Sequence, residues 1–215
     1  MNTYFIYLAV ILLIFLLIYY GIVFSLKFAP HKIRILSLSA LIASCFRYIG
    51  VLVFLITGNI KNLYLLKPVM FLNILCIPVL GITSLYICSR SNKIKFNYCI
   101  GAASILLLAY AAAISKLPIS IDIFNSLGYI MSFNNELLVC GIYLILNTIF
   151  FFIAVISLGS KLSNRLGTWF ILFSAFAVMI EVIARFMGII IFPALIIGDA
   201  IWLFTTDYAL YKLKK

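Results

Sequence analysis

The sequence predicts an all-α integral membrane protein, and three observations lead there. Of 215 residues, 67% are hydrophobic and only 10% charged, against about 45–50% and about 25% in ordinary soluble domains. A globule of this size has no interior large enough for that much apolar side chain. The apolar residues fall into uninterrupted runs of helix-crossing length, about 20 residues. The basic residues cluster in alternate gaps between those runs, as membrane topology requires. The same composition excludes a disordered chain, which needs low hydrophobicity. Five cysteines in 215 residues are too sparse for a disulfide scaffold.

Seven spans are read in order, at residues 4–26, 35–57, 68–88, 96–115, 137–159, 168–188 and 191–210, forming one transmembrane domain over 1–215. The first is a near-continuous run with no basic residue before it and Lys27 just after. A cleaved secretory signal carries its charge first, so this segment is expected to stay as a span. In the third, Pro78 and Gly81 are expected to break or kink the helix and free carbonyls toward a lumen. The connection 116–136, between spans four and five, holds too many apolar residues for a free loop. It reads as an interfacial or re-entrant helix able to act as a lid, or as a surface helix lying on lipid. Spans six and seven need a turn near 188–193, which Gly188 and Pro193 favour. Without it the chain has six spans and an outward C-terminus.

Eleven basic residues fall on one side of this arrangement: Lys27, Lys32, Arg34, Arg90, Lys93, Lys95, Lys161, Arg165, Lys212, Lys214 and Lys215. Three fall on the other: Lys61, Lys67 and Lys116. The positive-inside rule then places the N-terminus out and the C-terminus in. The net charge of +11 reads as a topology signal facing anionic lipid, with no nucleic-acid partner implied. A chain rich in Ile, Leu, Phe, Asn and Lys fits an AT-rich genome, and the expected location is a bacterial cytoplasmic membrane.

An internal echo accompanies the topology. At an offset of 138, the stretch FRYIGVLVF (46–54) faces ARFMGIIIF (184–192), and arginine, aromatic, glycine and phenylalanine recur in order. As a repeat, this makes halves 1–88 and 137–215 joined by helix 96–115, a 3+1+3 arrangement. That layout resembles the SWEET-type sugar facilitators, the PnuC-type vitamin carriers and the KDEL receptor. The last is also similar in having arginine followed by an aromatic on its second and sixth spans, matched here by Arg47-Tyr48 and Arg185-Phe186. The resemblance implies a binding site between the halves near the middle of the membrane.

Charges inside spans are expensive and mark partners or function. Arg47 falls in span two, Glu181 and Arg185 in span six, and Asp199 in span seven. Glu181 and Arg185 stand four apart, a spacing for a same-face ion pair. One reading has these four fasten helices together. The other has arginine grip a carboxylate or phosphate on a ligand, or a carboxylate carry a coupling ion. Arg185 also has the option of snorkelling to the outer headgroups. Asn73 and Asn147, with Tyr48, Tyr86, Tyr110 and Tyr143, are further candidates to line a cavity. Asp207 is expected to be solvated at the inner end, and Trp169 to anchor the inner face.

No metal, cofactor or catalytic set is legible. His31 is the sole histidine and sits among basic residues, and no Cys-x-x-Cys pair occurs. The expected function is a small-molecule carrier, taking a small polar or anionic ligand on Arg47, Glu181, Arg185, Asp199, Asn73 and Asn147. A ligand-sensing receptor acting through a separate partner is the alternative, followed by a structural or immunity-type membrane protein.

Overall fold

The computed structural model describes residues 2–56, 63–90, 95–123, 129–189 and 192–214. Lys61, Lys93, Lys215 and the expected start of span seven at Ile191 lie outside the described residues.

Helix α1 (Asn2–Phe28) is a run without acid or proline, and it stops where Pro30 disfavours helical geometry at Ala29. Helix α2 (His31–Ile56) begins at once, its first backbone bond running from Arg34 N to Pro30 O. Two residues thus reverse the chain, and the Arg34 guanidinium donates to Ala29 O to hold the turn. A 3-10 turn (Tyr64–Leu66) leads into the one-turn α3 (Lys67–Met70), which breaks at Phe71–Leu72 before α4 (Asn73–Ser89). The break therefore falls ahead of Pro78 and Gly81, and α4 runs through both without a break. Helix α5 (Phe96–Lys116) packs on α4 at the rim, with Tyr98, Ile100, Ile105 and Leu108 exposed.

The connection that follows is corrected by the structure. It forms a two-stranded antiparallel hairpin, β1 (Ile119–Ile123) against β2 (Tyr129–Phe133), where a helix was expected. Ile119, Ile121 and Ile123 alternate with Ser120 and Asp122, a period of two that suits a half-covered strand. Ser120 and Ser132 share a cross-strand hydrogen bond, and Phe71 stacks on Phe133 with ring centroids 3.8 Å apart. Met131 buries itself with Phe54 and Leu63, fastening the hairpin over one end of the bundle.

Helices α6 (Glu136–Leu158), α7 (Arg165–Phe186) and α8 (Ile196–Tyr211) complete the bundle. The turn expected near Gly188 is present. Gly188 takes the left-handed conformation (φ 79°), and Ile189 N reaches back to Ala184 O at 2.9 Å. This is the glycine-terminated helix end that only a residue without Cβ adopts freely. Six helical stretches are long and apolar enough to cross a membrane. Helix α8 is not among them. Its 16 residues extend roughly 24 Å, short of the about 30 Å hydrocarbon core.

Instead α8 is the buried centre, packed on α1, α4 and α7, with Ile196, Trp202, Leu203, Ala209 and Leu210 sealed. The long helices expose leucine, isoleucine and phenylalanine on their outward faces. Apolar patches on that scale fit a multi-pass membrane protein.

Candidate functional site

Asp199 lies on the first turn of α8 and is fully buried. Its carboxylate accepts from Arg47 Nη1 at 2.6 Å and from Tyr48 Oη at 2.8 Å, both on α2. Tyr143 Oη on α6 donates to the other oxygen at 3.4 Å. Three helices thus meet on one carboxylate. Arg47 is 3% exposed, so the pair is taken out of water, and such a pair persists only when its geometry and extra hydrogen bonds offset desolvation. Arg47 Nε remains buried without a hydrogen-bond partner among the described residues. One donor of the guanidinium is thereby left unused, on the side chain type that grips a carboxylate or phosphate at two points.

Arg47 and Tyr143 form part of the lining of a cavity of about 850 Å³, counted out to its open mouth. Its walls come from α2, the α3–α4 break, the hairpin, α6 and the non-helical segment 193–195. Val51, Phe54, Met70, Met131, Phe133 and Leu195 make most of it apolar, and Asn73 stands at the start of α4 among them. A second arginine, Arg185 at the end of α7, borders the same cavity. Its Nε lies 2.7 Å from Glu136 Oε1 in an ion pair too far off-axis for a hydrogen bond, and its Nη2 donates to Pro193 O at 2.9 Å.

The six site candidates therefore separate. Arg47, Arg185 and Asn73 border one cavity, and Asp199 lies behind Arg47 as its partner. Glu181 does not pair with Arg185. Its carboxylate accepts from Gly198 N at 2.8 Å and Ile197 N at 3.4 Å, satisfying free N–H groups that open α8. Four-residue spacing permits an ion pair but does not decide it when a helix N-terminus lies nearer. Asn147 is spent inside the protein, donating to Tyr143 O and accepting from the Trp202 indole at 3.1 Å. Tyr110 is half-buried and donates to Pro68 O, and it is absent from the cavity walls.

Asp207 is also corrected. It is 6% exposed, pressed against Gly21 of α1, and both oxygens lack a hydrogen-bond partner among the described residues. It was expected in water because it lies near the end of its helix, but α1 covers that end. The sequence reading missed Glu136, Tyr7 and the hairpin as cavity walls. An acid just before a span, level with Arg185 on the same side of the expected topology, was the available signal for Glu136. Among the described residues, no three His, Cys, Asp or Glu side chains gather as a metal site.

No protein-family model matches the chain, and a search of curated proteins returns no significant match.

Proposed function

We propose that this chain is a membrane carrier for a small anionic molecule, held in the cavity on the unused donor of Arg47. The observation that carries the reading is the buried Nε of Arg47, without a partner among the described residues, beside a cavity that the same side chain borders. Asp199, itself held by the Tyr48 and Tyr143 hydroxyls, fixes the guanidinium, so the side chain is preorganised beside the cavity. Arg185, Glu136 and Asn73 stand farther along the walls as orienting groups.

In this reading the chain crosses the bilayer seven times, N-terminus outside, with α8 and the segment before it as the last crossing. Two interruptions support it. The third crossing is broken at Phe71–Leu72, and the seventh is unwound over 192–195. Each lies near the start of the last crossing of its half, although the 138-residue offset does not align the two, and both interruptions border the cavity. Discontinuous membrane helices form carrier binding sites, and non-helical backbone is tolerated at membrane depth where it lines a cavity. The echoed arginines, Arg47 and Arg185, also border that one cavity. Transport then proceeds by rocking the halves about it.

The test is counterflow of carboxylates and organic phosphates by purified protein in liposomes. Flux that is lost in Arg47→Gln supports a carrier. Binding without flux identifies a receptor using the same cavity, and neither binding nor flux leaves the charges as helix fasteners.

A further inference from the structure

A second hollow opens beside the cavity, on the outer flank of α7. Ala177, Ile180, Ala184, Phe192 and Ile197 line it, and Ile180 and Ile197 are exposed. Arg185, Ala194 and Leu195 border both hollows, so a thin wall of three side chains separates the lipid-facing flank from the cavity. Glu181 is the acid on this flank, and its charge is engaged by the N–H groups of α8. Overhead, the hairpin and the Phe71–Phe133 stack cover the end of the bundle.

From this arrangement we infer that the cavity takes a single-chain amphiphile, a carboxylate or phosphate on one hydrocarbon tail, which arrives sideways from the lipid between α7 and the 192–195 segment. The inference rests on the reading of the cavity as an anion site and names its substrate class. The polarity profile fits one polar head and one tail. A donor sits on Arg47, and the surface beyond it is Val51, Phe54, Met131, Phe133 and Leu195. A small hydrophilic anion would desolvate against these side chains without gain, whereas each methylene of a tail contributes by leaving water. The Arg185–Glu136 pair on the cavity wall is already neutralised. Entry from the side avoids drawing the tail through water and past the hairpin.

The experiment uses the full chain in phosphatidylcholine nanodiscs and a palmitate probe with a diazirine on its tail. Labelling is expected on α2 and β2, competed by palmitate and by hexadecyl phosphate but not by acetate. The ratio of the two competitors tells a fatty acid from a lysolipid-type phosphate. Arg47→Gln is expected to weaken probe binding roughly tenfold to a hundredfold, the loss of one or two charge-assisted hydrogen bonds. Ala184→Trp is expected to slow labelling without lowering its final extent, and Ala177→Phe on the same flank gives a second reading should the first misfold. Competition by acetate as strong as by palmitate, still dependent on Arg47, overturns the amphiphile and leaves the anion site standing. Labelling indifferent to Arg47→Gln overturns both. Unchanged rates in both flank variants overturn entry from the side.

Discussion

Arg47 on α2 and Asp199 on α8 meet at 2.6 Å across 152 positions of sequence, each almost wholly shielded from solvent. Because α8 also packs on α1, α4 and α7, this contact ties the central helix to the wall of the cavity. Removing one partner leaves the other charge buried and alone, which costs about 3–5 kcal/mol. Arg47→Ala and Asp199→Ala are each expected to lower thermal stability by that order. The double variant is expected to lose less than their sum, and a double-mutant cycle in detergent checks it. Simple additivity would mean the two side chains do not interact in the folded protein.

Glu181 anchors the start of α8 through Gly198 N and Ile197 N. Glu181→Ala is expected to cost about 0.5–2 kcal/mol, as losing a helix cap does, while ligand binding at Arg47 is kept. Chemical unfolding alongside a binding assay distinguishes this from a ligand contact, whose loss would weaken binding and spare stability.

At Gly198 the packing is closer still, since a Cβ there would overlap the Val178 side chain. Gly198→Ala is expected to push α8 off α7 and cost about 1–3 kcal/mol. A midpoint of thermal unfolding equal to that of the parent would show that the two helices have room to spare.

How far this was legible from sequence depends on what kind of signal each feature leaves. The long helices announce themselves, because lipid demands uninterrupted apolar length and α1 or α6 has nothing else to be. Arg47, Asp199 and Arg185 stood out because charge is rare inside such runs. Partners were harder to read. Glu181 and Arg185 sit at ion-pair spacing, yet Glu136 and the N-terminus of α8 come from elsewhere in the chain and win by proximity. The hairpin was hidden because strand alternation over 119–123 is short, and its apolar content suggested a helix at the interface. Asp207 was misjudged for a similar reason, since distance from a helix end says nothing about which neighbour covers it. The length of α8 was obscured because hydropathy does not record where backbone unwinds.

Asp207 places a carboxyl group without a partner among the described residues against Gly21, where a Cβ would sit 2.6 Å from Oδ1. A buried polar group without partners costs about 1–3 kcal/mol by mutational measures, and a carboxylate costs more than an amide. Asp207→Asn is expected to raise the unfolding temperature at neutral pH. A drop would show that Asp207 has a partner in the membrane-embedded protein.

Asn147 and Trp202 form a closed pair, with the indole donating to the amide oxygen. Asn147→Leu strands that N–H inside the bundle and is expected to cost about 1–3 kcal/mol. Binding at the cavity is expected to persist, since Asn147 is absent from its walls. Loss of binding with stability intact would put Asn147 back among ligand contacts.

Arg47 is proposed to make the cavity prefer anions, and Asn73, on the wall of the same cavity, reports on it. The most direct measurement places a cysteine at Asn73, on the cavity wall, after the five native cysteines are replaced by serine or alanine. Thiosulfonate reagents of opposite charge are then added outside intact cells. The account expects Asn73→Cys to react faster with the sulfonate-bearing reagent than with the trimethylammonium one, and Arg47→Gln to erase that preference. Protection from both reagents, or faster reaction with the cationic one, would contradict it.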